Sequence, residues 1–282
     1  MKMSQAFVAV AATALGVGQA AADPGYYASV EALFLAPKIN SQGFETVFYD
    51  GVDHLAVDTD GSFSDDLEAG YRVVIGKESC DGFGVRFRYF NFDPDVHYDG
   101  LWDAGSGTVS VVGDVGVEVE AIDFDVTQRA EFRAWDLIVS GGLRYGNVEI
   151  NQPAGFFGGI GAVVFAGATG VEFEGVGPTF SIEAQRPIRC SNFSIIGRAR
   201  VSLLYGDIDY TPAFRAGGTF TIEDEFVQAW EFQFGLGYNR CIGSGRDLNL
   251  GIFWEAQRWD SDSNFLGDLA LHGLALQAGL GF

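Results

Sequence analysis

The chain has 282 residues, a formal net charge of −21, 48% hydrophobic residues, 39 Gly and 25 Phe. So acidic a chain excludes nucleic acid as a partner and argues against docking through anionic lipid headgroups. No segment beyond the N-terminal region reaches the roughly eighteen consecutive apolar residues of a membrane-spanning helix, and the apolar content is instead spread as alternation.

In chain order, the first feature is a basic Met1-Lys2 start, an uncharged apolar stretch at 6–17, and Ala20-Ala21-Ala22 before Asp23. This predicts a secretory signal peptide over 1–22 and a single β-barrel domain over 23–282. Ten period-two segments follow, at 25–36, 67–77, 83–91, 115–128, 134–148, 171–186, 192–206, 225–239, 247–259 and 268–282. Their connections alternate. The stretches 37–66, 92–114, 149–170 and 207–224 are long, and 78–82, 129–133, 187–191 and 240–246 are short. Long external loops, short periplasmic turns and an even strand count define an antiparallel up-and-down transmembrane barrel, which is all-β. The segment 156–167 is apolar enough to form a further hairpin, which would make 12 strands, or to fold inward as a plug. Cys80, Cys190 and Cys241 all fall in short turns and have no metal-ligand spacing. Neighbouring turns make Cys190–Cys241 the preferred pair if a disulfide forms; the alternative is three free thiols.

Strand parity separates the two faces of the wall. In the third segment Val85, Phe87 and Tyr89 alternate with Arg86 and Arg88; in the eighth Trp230, Phe232 and Phe234 alternate with Glu231 and Gln233. An arginine facing lipid at midplane costs about 2–4 kcal/mol, so the charged face is the lumen. The lumen set is Arg72, Arg86, Arg88, Arg144, Arg198 and Arg200, with Glu31, Glu183, Glu231 and Glu255; parity adds Glu68, Glu118 and Glu120. Between Glu120 and Asp123 the pattern changes face, which predicts a β-bulge near Ala121-Ile122. Aromatics near strand ends, Tyr26, Tyr27, Tyr145, Tyr205 and Tyr238 among them, suit interfacial girdles.

In the last segment Leu274, Leu276, Leu280 and Phe282 share the greasy face, and Ala275, Gly279 and Gly281 the small one. Left unpaired, this strand would be a sticky edge; closure against 25–36 removes it. The small residues would then leave room for a water path, which Gly279→Trp would narrow. His54, His97 and His272 are scattered and no spacing demands a catalytic dyad or triad, so no enzyme and no cofactor are expected. His97 near Asp93 and Asp95 is the nearest approach to one. The acidic run 58–66 places its glycine too early for a calcium loop of EF-hand type and reads as a solvated loop.

Four strings carry a resemblance: 26–35 (YYASVEALFL), 136–145 (DLIVSGGLRY), 175–178 (GVGP) and 254–257 (WEAQ). Together and in this order they resemble the Legionella-type major outer membrane protein family of pore-forming barrels, a family also seen in planctomycetes. The terminal-Phe strand is similar to those of bacterial outer-membrane proteins. The resemblance implies outer-membrane localisation, a surround of outer-membrane lipid, delivery to the barrel-assembly machinery through the strand ending at Phe282, and a passive porin-like pore for small solutes or ions. It transfers no catalytic residue. The alternative is a closed structural or adhesive barrel whose long acidic external loops bind partners or cations.

Overall fold

The computed structural model describes residues 25–40, 46–49, 54–57, 60–63, 66–103, 108–152, 169–189, 191–211, 219–243, 245–261 and 268–282. Ten strands close into one antiparallel barrel. They are β1 (Tyr26–Asn40), β5 (Glu68–Glu78), β6 (Phe83–Phe92), β8 (Thr108–Phe132), β9 (Trp135–Gln152), β10 (Thr169–Pro187), β11 (Phe193–Thr211), β12 (Phe220–Gly243), β13 (Arg246–Ser261) and β14 (Asp268–Gly281). Each pairs with its neighbours around the ring, and β14 closes on β1 with Val30 opposite Ala278. The Phe282 N–H donates to the Tyr26 carbonyl at 2.9 Å, so the last residue is tied to the first strand. The expected edge is therefore paired along its full length.

Four short strands lie in the external region: β2 (Thr46–Tyr49), β3 (His54–Val57), β4 (Asp60–Phe63) and β7 (Asp95–Asp103). The segment 92–114, expected to be a loop, is instead largely strand. β7 pairs with β8 over 108–116, directly beyond the 119–128 stretch that pairs with β6. β6 and β7 thus form one line along β8, broken at Asp93-Pro94 because proline has no N–H to donate. The Pro94 carbonyl still accepts from Val117 at 3.0 Å. The ring remains ten-stranded. The apolar segment 156–167, on which a twelve-strand reading depends, lies outside the described residues, as do 58–59 and 64–65 of the acidic run and all of 1–24.

The short turns and both chain ends share one end of the barrel, the periplasmic end in this architecture. In the 79–82 turn, Gly82 takes φ 79°, and its N–H donates to the Ser79 carbonyl at 2.9 Å. Hydrogen bonds from the Ser79 hydroxyl and the Phe83 N–H hold the Asp81 carboxyl below its ordinary range. Cys80 and Cys241 are exposed free thiols at this end, and Cys190 lies outside the described residues.

The outer wall is a continuous apolar band. Phe87, Phe124, Leu143, Phe180, Phe232, Phe234, Ile252, Trp254 and Leu274 all expose their side chains. Tyr26, Phe83, Phe193 and Phe282 ring the periplasmic rim. Tyr27 is an exception to the girdle reading, because its parity turns it inward.

No bulge lies at Ala121-Ile122. Register runs unbroken on both sides of β8, with Glu120 opposite Asn91 and Asn147, and Asp123 opposite Arg88 and Arg144. What changes along β8 is the environment, not the face. Val115, Val117, Val119, Ala121, Asp123, Asp125 and Thr127 all point inward and are buried, while Glu118, Glu120, Phe124 and Val126 point outward. Above the membrane the outside is water and the inside apolar; within it the outside is lipid and the inside charged. Glu118 and Glu120 are therefore on the external surface, not in the lumen. Irregularities occur instead at Gly206/Ile208 and at Cys241/Gly243.

The Gly177-Pro178 pair marks a tight point in the wall. The β10–β11 ladder runs Val176 to Tyr205 and resumes at Thr179 to Ser202, skipping the two residues between. Pro178 has no donor to offer, and the Leu203 carbonyl leans over Gly177, where a Cβ would lie 1.8 Å from its oxygen. Gly177→Ala is expected to cost about 1–3 kcal/mol or more, since backbone cannot rotate aside as a side chain can. A wild-type urea midpoint for that variant would refute this account of the site.

Candidate functional site

Alternation within each strand delivers one inward side chain every second residue, and ten strands bring them to a narrow axis. At mid-height this produces a charged layer. The structure places Arg72, Arg86, Arg88, Arg144, Arg198 and Arg200 inside with Glu31, Asp123, Asp125, Glu183, Glu231 and Glu255, six of each sign. Arg144 is fully buried and forks onto Asp123, with Nε–Oδ1 at 2.6 Å and Nη2–Oδ2 at 3.0 Å, and also meets Glu231 at 2.5 Å. Arg88 joins Asp123 at 3.0 Å and pairs closely with Glu231. Arg72 pairs closely with both Glu31 and Glu255. Arg200 donates to Asp125 at 2.6 Å and 3.1 Å and to Thr179 at 3.0 Å. Gln233 bridges Glu31 and Glu255 at 3.1 Å and 2.7 Å, and Gln257 donates to Glu255 at 2.6 Å.

The layer is neutral and almost wholly hydrogen-bonded, which is the condition for holding charges in a low-dielectric interior. Asp123 and Asp125 are members absent from the expected lumen set, whereas Gln233 lies on the charged face where parity put it, beside Glu231. Asp123 and Asp125 lie on the inward face of β8, opposite in parity to the outward carboxylates of Glu118 and Glu120.

Directly above, on the external side, the lumen turns apolar. Leu33, Leu35, Phe90, Phe92, Val119, Val148, Ile150, Phe173, Leu204, Trp259 and Leu271 fill it and are buried. The two layers interlock through cation–π stacking: Arg72 lies 5.2 Å from the Phe90 ring centroid and Arg144 lies 5.8 Å from that of Trp259. The strip at Ala275 is packed as well, that residue being fully buried, so no water path runs past the arginines there.

Below the layer, toward the periplasmic end, a cavity of about 280 Å³ remains. Tyr27, Ser29, Ser181, Glu183, Gln277 and Gly279 line it beneath Arg86 and Arg198. At its rim Arg129 pairs with Glu78 at 2.6 Å and contacts Asp136.

Elsewhere, His97 Nδ1 lies 2.9 Å from Asp114 Oδ1 on the exposed β7–β8 hairpin, rather than against Asp93 or Asp95. Among the described residues, no group of three or more His, Cys, Asp or Glu side chains is arranged to hold a metal.

A closed ten-stranded antiparallel barrel with an apolar belt, a charged interior and short turns at one end defines an outer-membrane β-barrel protein. The family model described as Legionella pneumophila major outer membrane protein precursor matches residues 20–264, and the chain belongs to that family. Among solved structures it is similar to the outer membrane protease OmpT from Escherichia coli, with TM-score 0.57, 10% identity, and coverage of 94% of this chain and 98% of that one. A major outer membrane protein from Thermus thermophilus also matches, at TM-score 0.37 and 13% identity over 92% of this chain and 98% of that one. At 10% identity the likeness to OmpT is one of fold alone. None of the curated proteins compared matches the chain in sequence.

Proposed function

We propose that this protein is a porin-like outer-membrane channel that stands closed, its lumen shut by the charged layer and the apolar layer above it. The observation that carries this is the ionic filling itself. Buried ion pairs are no more stabilising than well-packed apolar side chains of similar volume, so a barrel that needed only a solid core would not require twelve charged groups near its axis. The charges come from the walls of nine strands, not from an inserted plug, and a water-accessible cavity already reaches them from the periplasmic side. Re-pairing of arginines to wall carboxylates is a movement such a layer permits and a hydrocarbon core does not.

Planar-bilayer recording of the refolded protein tests the reading. Wild type is expected to show few or no conductance steps, and a folded variant weakened in both layers, Arg144→Met with Trp259→Ala, to show frequent ones. Steady conductance from wild type would refute the closed lumen. Silence from the double variant would refute the channel and leave the second reading, a structural or adhesive barrel. That reading draws support from the outward carboxylates Glu118, Glu149, Glu172 and Asp209, which stand opposite one another across four neighbouring strands above the membrane.

A further inference from the structure

The periplasmic cavity has chemistry that the closed lumen does not explain. Glu183 is the one acid of the inner twelve that accepts no hydrogen bond among the described residues. Its Oε2 lies 2.9 Å from Arg198 Nε, yet that N–H is not aimed at it and is left without a hydrogen-bond partner. Arg198 directs its other nitrogens away, to Glu31, Gln233 and Gln277, each at 3.0 Å.

Across from Glu183, Arg86 spends Nε and Nη2 on Asp125, at 3.1 Å and 2.9 Å, and Nη2 also reaches Ser140 and Ser181. Its Nη1 has no hydrogen bond among the described residues. Ser181 lies two residues before Glu183 on the same inward face of β10, so the guanidinium that reaches Ser181 from β6 meets the cavity beside the Glu183 carboxylate. A guanidinium N–H without a hydrogen bond and a carboxylate held only by its ion pair with Arg198 therefore face the same space.

The charges of the layer above the cavity balance at six of each sign, so a ligand with net charge would bring an uncompensated ion against a neutral, buried ion-pair layer. A molecule carrying both signs would not. The volume of about 280 Å³ falls at the small end of ligand sites, room for a molecule of a few heavy atoms beyond its charged groups.

We propose that this cavity binds a small zwitterion of amino-acid or dipeptide size from the periplasmic side, its carboxylate on Arg86 and its ammonium on Glu183. Arginine suits the first role because its planar fork matches a carboxylate. The Tyr27 and Ser29 side chains complete the wall at the level where the ligand would lie. This rests on the cavity geometry and not on conduction, so it stands or falls apart from the channel reading.

The test is equilibrium binding by titration calorimetry on the folded protein in detergent, with three probes: alanyl-alanine, its N-acetyl form and its methyl ester. The dipeptide is expected to bind at least about tenfold more tightly than either blocked form. Glu183→Gln is nearly isosteric at a group that accepts no hydrogen bond, so the fold should persist. It is expected to weaken alanyl-alanine about tenfold and leave the N-acetyl form unchanged. Asn249→Trp, at the cavity wall, is expected to abolish binding of all three. Absence of dipeptide binding, equal affinity for the three probes, an unchanged affinity in Glu183→Gln, or binding that survives Asn249→Trp would each overturn the proposal.

Discussion

Arg144→Met is expected to lower the stability of the folded barrel by about 3–5 kcal/mol, the loss typical when one partner of a buried ion pair is removed. Arg144 is fully buried, and its removal takes two hydrogen bonds from Asp123 and one ion pair from Glu231. Asp123 keeps Arg88 at 3.0 Å and Arg200 at 3.2 Å, so it is weakened, not orphaned. Glu231 keeps Arg88, with Arg72 farther off at 3.8 Å. Methionine fills the volume, so the loss reports charge rather than a cavity. Arg144→Lys retains the charge without the fork and should fall between the two. Urea unfolding in phospholipid vesicles measures all three. A methionine variant within about 1 kcal/mol of wild type would mean that the surviving arginines re-pair at little cost and that the layer is redundant.

Much of this architecture is legible from alternation alone. The long–short rhythm of connections and the greasy face of 268–282 predict ten strands and closure on 25–36, and the structure has both. Alternation says which residues share a face, but not what each face meets along the strand. On β8 the same inward parity runs from Val115 through Ala121 to Asp123 and Asp125. A reading that assumes one environment per face must invoke a bulge there, and must misplace Glu118 and Glu120. The missing information is the height at which lipid gives way to water, which is a property of the membrane rather than of any one strand. The same gap hid the apolar upper lumen. Leu33, Phe92, Val148 and Phe173 come from distant positions in the chain, and only the register of the ring sets them at one level. The 92–114 segment misled for a different reason: Pro94 interrupts the alternation for one residue and resembles a strand end.

Trp259→Ala is expected to be as damaging as the loss of Arg144, about 3–5 kcal/mol for a fully buried aromatic. The side chain fills a place that little else can occupy. A Cβ at Gly146 would sit 3.1 Å from its ring, so β9 carries glycine beneath it. Its face covers Arg144, and its Nε1 donates to Gln257 at 3.4 Å, which in turn donates to Glu255. Trp259 therefore belongs to both layers. If they act as one seal, the effects of Arg144→Met and Trp259→Ala will not add, because each removal already frees part of what the other holds; a coupling of about 0.5–3 kcal/mol is expected from residues in direct contact. Additivity within about 0.3–0.5 kcal/mol would show two independent closures. Each single variant would then stay shut by the layer it leaves intact, and conductance would appear only in the double variant.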